Sequence, residues 1–312
     1  MSDLVKLTAE QSEQLQSLEA LWETYGPALQ ASAAFSGGMG WKTVKGIEYL
    51  VRYQQGEDGK KRFSSFGRRS PETERKYDEF LNTAGNARTV RKELRETVAL
   101  HCRLAKAYGI ARLPGRQAEI VDRFWMTGVS QRLSLIGGTA LLAYEAGSRT
   151  LAPARLIKDD HLQFFARSID GLDFDVIAEA CDVDKTGCRT RRYGDRVAIR
   201  NDDGLVCEVL LPAFFLDDDE GPAADVLLAA FELPPVRSLT VARDTRPIEL
   251  TAVDPRTYAL MAASRSDDGL WAERGEFAGD LVRQRWPQKF DEDQEAVLDG
   301  EDSGHFGRVR CP

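Results

Sequence analysis

Residues 133–162 read LSLIGGTALLAYEAGSRTLAPARLIKDDHL, and this stretch carries the pattern from which the fold is predicted. The predicted order is a short apolar strand from Leu133 to Ile136, a Gly-Gly-Thr turn, a helix from Ala140 to Ala146, a loop, and a second strand that carries acids. Gly137 and Gly138 have no Cβ, so the backbone can bend sharply there and a ligand can come close.

Thr139 is predicted to be the N-cap of that helix. A helix that begins after a glycine turn offers free N–H groups and a favourable dipole to a phosphate. Asp159 and Asp160 follow on the predicted strand 156–165, where acids are costly unless they bind something. A phosphate site with acids nearby predicts metal-assisted chemistry on a nucleotide.

The glycine turn, the helix and the acids resemble the nucleotidyltransferase fold of the DNA polymerase beta superfamily. In that fold a Gly-Gly or Gly-Ser turn precedes a helix, and an Asp-x-Asp strand and a third acid on a later strand follow. The chain also resembles a bacterial family of uncharacterised nucleotidyltransferase-fold proteins with a basic N-terminal hairpin, a GTxALxAYEAG helix and a later DGxxVDL strand. The resemblance covers roughly residues 40 to 290 and is most specific from Gly137 to Gly147.

The resemblance implies an α/β (α+β) fold, with a nucleotidyltransferase-like mixed sheet flanked by helices and a helical N-terminal region that bears a β-hairpin. It also implies an enzyme that moves a nucleoside monophosphate from an NTP to an acceptor that it does not identify. Mg²⁺ or Mn²⁺ would neutralise the charge of the transferred group and position the two oxygens of the in-line displacement. Such cations call for a cluster of oxygen ligands.

By this resemblance Asp159 stands at the first acid of the family, His161 at the second and Glu208 at the third. Asp159 and Glu208 are therefore the predicted catalytic residues. Asp160 joins Asp159, His161 and Glu208 as a predicted metal ligand, because a bulge in the strand could turn its side chain into the cluster. The predicted nucleotide-binding residues are Gly137, Gly138, Thr139, Arg149 and Lys158.

The second acid position leaves alternatives open. Imidazole is a poor ligand for Mg²⁺ and suits Zn²⁺ better, so His161 predicts a one-metal site, a changed metal, or a catalytically degenerate fold that only binds nucleotide. Such a module could form half of a toxin–antitoxin or phage-defence pair. A rival acid pair, Asp173 and Asp175, lies in a predicted helix, where residues two apart do not share a face. We interpret that pair, and also Tyr144 and Glu145, as structural.

The N-terminal region contains a predicted β-hairpin at 41–67. Its strands run from Trp41 to Gln55 and from Lys60 to Gly67, around a turn at Gly56–Gly59. The hairpin and its flank are rich in basic residues, namely Lys42, Lys45, Arg52, Lys60, Lys61, Arg62, Arg68 and Arg69. Aromatic residues are interleaved with them, namely Tyr49, Tyr53, Phe63 and Phe66. This pattern indicates an arm that contacts a nucleic acid acceptor or another polyanion. The alternative is a solvated ribbon whose aromatic rings pack inward.

Composition limits the remaining possibilities. The 312 residues carry a formal net charge of −8, so any contact with nucleic acid needs a local basic patch. Five scattered cysteines without a CxxC pair predict a reducing, cytoplasmic location. No apolar run approaches the roughly 18 residues of a membrane span, so no membrane partner is expected. The predicted regions are a helical part with the hairpin (1–127), a nucleotidyltransferase-like core (128–215) and a C-terminal β/helical region packing on the core (216–312).

Overall fold

The computed structural model describes residues 4–35, 37–55, 61–216, 222–265 and 268–299. The chain forms two compact units. One comprises residues 1–15 together with 102–312, and the other comprises residues 16–101.

Strands and helices follow one another along the chain, singly or in runs of two or three. The strands are β1 (Val5–Lys6), β2 (Gly38–Val44), β3 (Ile47–Gln55), β4 (Lys61–Arg68), β5 (Ser134–Ile136), β6 (Thr150–Leu151), β7 (Leu162–Phe165), β8 (Arg189–Arg192), β9 (Arg196–Asn201), β10 (Gly204–Leu210), β11 (Val236–Val241) and β12 (Pro247–Ala252). The helices are α1 (Ala9–Ala34), α2 (Pro71–Ala107), α3 (Gly115–Thr127), α4 (Gly137–Ser148), α5 (Phe174–Cys181), α6 (Pro222–Phe231), α7 (Pro255–Ala263), α8 (Gly269–Gln284) and α9 (Glu292–Asp299). Within the described ranges, none of these helices is both long and apolar enough to cross a membrane.

The larger sheet belongs to the unit that contains residues 102–312. Its strand order is β11-β12-β5-β7-β10-β9-β8. The pairs β7–β10 and β5–β12 are parallel and the other pairs are antiparallel, so the sheet is mixed. Helix α4 packs against β11 and β12, and α7 packs against α8. The mixed α/β class with helices against the sheet is confirmed.

The register of the central strands brings three segments together. Gln163 on β7 lies opposite Glu208 on β10 and opposite Ile136 at the end of β5. Residues opposite each other in neighbouring strands point to the same face of a sheet. Since α4 begins directly after Ile136, the start of this helix, Gln163 and Glu208 lie side by side.

Two predicted elements differ from the observed ones. The strand predicted at 156–165 is shorter, because β7 begins at Leu162, after the acids. The predicted hairpin is a three-stranded sheet, because Lys45 and Gly46 both adopt positive φ (51° and 79°) and form a tight turn between β2 and β3. The turn predicted at Gly56–Gly59 lies outside the described residues.

Candidate functional site

Asp159 lies beside the glycine turn, but its carboxylate is already bound by the protein. Its Oδ2 accepts hydrogen bonds from the backbone N–H of Thr139 at 2.9 Å and from the Thr139 hydroxyl at 3.2 Å. Its Oδ1 accepts a hydrogen bond from Nη2 of Arg274 at 2.6 Å. The side chains of Asp159 and Arg274 are 7% and 3% exposed, so this is a buried ion pair.

This arrangement corrects the predicted cap. Helix α4 begins at Gly137, and its N-cap residue is Ile136, which has no capping side chain. Thr139 therefore occupies the third helical position, where the N–H group has no intrahelical partner. The carboxylate of Asp159 satisfies that group from twenty residues away, and it takes the place of the anion that the helix N-terminus favours.

The two glycines are required by close approaches within the protein. A Cβ on Gly138 would lie 2.5 Å from the carbonyl oxygen of Leu156 and 2.7 Å from Nη2 of Arg274. Gly137 has φ +68°, and a Cβ there would lie 2.6 Å from Oε1 of Gln163. Gly138 thus makes room for the chain segment that carries Asp159.

We therefore expect Gly138→Ala to destabilise the fold by about 1–3 kcal/mol, because the backbone carbonyl of Leu156 cannot move away as a flexible side chain would. Denaturant unfolding measures this change. Gly269→Ala on α8 is the matched control, since a Cβ there meets nothing within 4 Å. Equal stability losses in the two variants would contradict the assigned role of Gly138.

Glu208, the predicted third acid, lies on β10 and contacts Arg196 and His161. Its side chain is 11% exposed, with Oε1 at 3.5 Å from Nη1 of Arg196 and Oε2 at 3.7 Å from Nε2 of His161. Burial raises the pKa of Glu208, but His161, Arg196 and Gln163 together lower it further, so its pKa lies below the ordinary value. The Nε2 atom of His161 is buried and has no hydrogen-bond partner within the described part of the chain, because 3.7 Å is too long for one.

Arginine side chains extend this face toward the edge of the sheet. Arg191 on β8 lies opposite Ala198 on β9, which lies opposite Glu208 on β10, so the three share one face. Arg196 also lies 3.9 Å from the carboxylate of Asp195. This basic edge was not among the predicted site residues, although the sequence RTRRYGDR at 189–196 carries a signal for it.

Two aromatic rings lie among these arginines. The guanidinium groups of Arg191 and Arg196 lie 5.3 Å and 5.5 Å from the centre of the Tyr193 ring. Arg196 and Arg265 lie 5.7 Å and 4.7 Å from the centre of the Phe214 ring. Tyr193 is 40% exposed. Guanidinium groups bind phosphates and exposed rings stack on bases, so this combination suits a nucleotide.

The other predicted site residues lie apart from this face or have a different role. Arg149 is the C-cap of α4 and lies about 18 Å along the helix from Gly137, at 1.5 Å per residue over twelve residues. The side chains of Lys158 and Asp160 are exposed, and the carbonyl of Lys158 accepts a hydrogen bond from Arg274. Asp173, predicted to lie within a helix, is instead the N-cap of α5 and accepts hydrogen bonds from two backbone N–H groups, so its role is structural.

The predicted metal ligands do not fit a centre for two Mg²⁺ or Mn²⁺ ions. Asp159 is neutralised by Arg274, and Glu208 is flanked by Arg196 and the imidazole of His161. Across the described residues, no group of three or more His, Cys, Asp or Glu side chains is arranged to hold a metal ion. Comparisons of the chain with models of known protein families, with curated proteins and with solved structures found no match.

Proposed function

We propose that this chain is a nucleotide-binding protein with a nucleotidyltransferase-like core, and that it binds its ligand without a metal centre. The observation that carries the proposal is the buried pair of Asp159 and Arg274, which engages the acid that a catalytic cation would need. The proposal corresponds to the degenerate binding module among the sequence hypotheses. A role in a toxin–antitoxin or defence pair stays a prediction.

The ligand site that we propose is the face formed by Glu208, His161, Arg191 and Arg196, with the Tyr193 ring beside it. The arginines would bind the phosphates, so their charge would replace that of a cation. The exposed ring of Tyr193 would stack on the base.

Calorimetric titration with ATP, GTP, CTP and UTP tests this proposal. We expect at least one nucleotide to bind in the presence of EDTA, and we expect Arg191→Gln to weaken that binding about 10- to 100-fold, because a charge-assisted hydrogen bond to phosphate is lost. Arg192→Gln is the matched control, since Arg192 is the next residue of β8 and stacks on Phe174, 4.7 Å away on the other face.

Three results would overturn the proposal. They are the absence of binding by any of the four nucleotides, binding that requires Mg²⁺, and an equal loss of affinity in the Arg191 and Arg192 variants. Circular dichroism of both variants checks that each one remains folded.

Nucleotidyl transfer is the second candidate, because Glu208 lies opposite Gln163, which lies opposite Ile136, the residue before the glycine turn. Incubation with labelled NTPs, Mg²⁺ or Mn²⁺, and nucleic-acid, protein and small-molecule acceptors tests it. Transfer of label by the unmodified chain, and its loss in Glu208→Gln, would establish the enzyme and overturn the binding-only proposal.

The cytoplasmic location also stays a proposal. Cys102, Cys181 and Cys207 are buried free thiols, and Cys188 is a free thiol that is partly exposed. Free thiols persist in a reducing compartment, so these four residues support a cytoplasmic location.

A further inference from the structure

The small sheet β2-β3-β4 of the unit formed by residues 16–101 has two chemically different faces. One face packs on α2. Leu50 on this face is fully buried, the Trp41 ring lies 5.8 Å from the Tyr77 ring, and Arg52 lies 5.9 Å from the centre of the Phe80 ring. This side of the sheet is therefore the core of the unit.

The opposite face, which we call the ring face, carries Lys42, Tyr49, Tyr53, Phe63 and Arg68. The pairings Lys42 with Tyr49, Tyr49 with Arg68, and Tyr53 with Phe63 place these residues on one side of the three strands. Phe63 is 61% exposed and Tyr53 is 40% exposed. Because Tyr53 and Phe63 lie opposite each other, they form one exposed aromatic patch, and such patches mark contact surfaces.

The Tyr53 ring lies close to a glycine in the neighbouring strand. Gly38 lies opposite Tyr53, and a Cβ on Gly38 would lie 2.3 Å from an atom of the ring. The ring therefore lies directly over the backbone of β2. A side chain larger than glycine at position 38 would collide with this ring.

The charge of the ring face is positive. Glu48 is the single acidic residue in the sequences of the three strands, and it lies on the α2 side, where it pairs with Arg69 at 2.8 Å. On the ring face, Nζ of Lys42 lies 5.5 Å from the centre of the Phe63 ring. A cation next to an exposed ring is the combination that binds a phosphate and its base together.

We infer that the ring face binds single-stranded nucleic acid, with bases stacked on Tyr53 and Phe63 and phosphates on Lys42 and Arg68. A duplex is a poor ligand, because its bases are already stacked on one another and cannot reach the rings. The chain as a whole carries a net charge of −8, so the attraction must come from this local patch. RNA and DNA both offer bases that can stack and phosphates that can bind, so either one fits the ring face.

Fluorescence anisotropy with labelled U and dT oligonucleotides of about 12 nucleotides tests the inference, with a duplex of the same length beside them. We expect the single strands to bind more tightly than the duplex, and Tyr53→Ala with Phe63→Ala to weaken binding about tenfold or more. Lys42→Gln should reduce the slope of log K against log salt by about 0.7, since one phosphate contact is lost. Comparison of the U and dT oligonucleotides shows whether RNA or DNA binds more tightly.

Two exposed residues of α2 provide matched controls, namely Leu81 and Lys92. Leu81→Ala removes an exposed apolar side chain from the same unit and Lys92→Gln removes an exposed charge, so both should bind as the unmodified chain does. No binding of single strands, equal binding of the duplex, or equal losses in the controls would each overturn the inference. Far-ultraviolet circular dichroism verifies that the ring variants are folded.

Discussion

Replacing Arg274 with alanine is expected to lower the free energy of unfolding by about 3–5 kcal/mol, because it leaves the buried charge of Asp159 without its partner. The same substitution removes the hydrogen bonds that Nε and Nη2 donate to the carbonyls of Leu156 and Lys158, at 2.8 Å and 3.1 Å. These bonds hold the segment before β7 against α8. Denaturant unfolding, fitted to a two-state transition where one is observed, measures the loss.

Arg283→Ala on the same helix is the control. Arg283 pairs with Glu295 at 2.6 Å, but their side chains are 40% and 36% exposed, so this pair contributes about 1 kcal/mol or less. A second variant, Arg274→Met with Asp159→Asn, removes both charges and should recover part of the lost stability. If Arg274→Ala loses no more stability than Arg283→Ala, Asp159 is not held as a structural ion and a catalytic role regains support.

The local part of this site could be predicted from the sequence, whereas its long-range part could not. Two glycines followed by Thr139 mark the start of a helix within a few residues, and α4 is found there. The residue that decides the chemistry of Asp159 is Arg274, which lies 115 residues further along the chain. Helical spacing places Arg274 with Trp271 and Ala278 on the buried face of α8, but the acid with which it pairs depends on tertiary packing.

The position of Glu208 illustrates a second limit. The sequence identified it as the acid of a strand, and β10 contains it. Which residues of the neighbouring strand share its face depends on the register, and a shift of one residue reverses every side chain. With β7 beginning at Leu162, Gln163 lies opposite Glu208, and Asp159 lies before the strand. The prediction of a strand at 156–165 gave neither the residue at which the strand begins nor its register with β10.

Glu145 is expected to make the unfolding free energy fall as the pH rises from about 4.5 to 7. Burial raises the pKa of Glu145 from its ordinary value of 4.5 to about 7, although the Arg112 guanidinium and the Ala152 amide lower it. The folded protein therefore holds a proton in this window that the unfolded chain releases. By linkage, a pKa difference of one between the folded and unfolded states corresponds to about 1.4 kcal/mol, so the fall is up to about 3 kcal/mol.

The comparison of the unmodified chain with Glu145→Gln isolates this effect between pH 5 and pH 8. The amide oxygen of the substituted side chain can still accept the hydrogen bond that Ala152 N–H donates at 2.8 Å, but the amide does not titrate. Arg112 also contacts this side chain, so the substitution changes the absolute stability, and the readout is therefore the slope of the unfolding free energy against pH. We expect the unfolding free energy of Glu145→Gln to change less steeply with pH than that of the unmodified chain. Glu232→Gln, which changes an acid that is 74% exposed, is the control, and parallel profiles of the unmodified chain and Glu145→Gln would contradict the raised pKa.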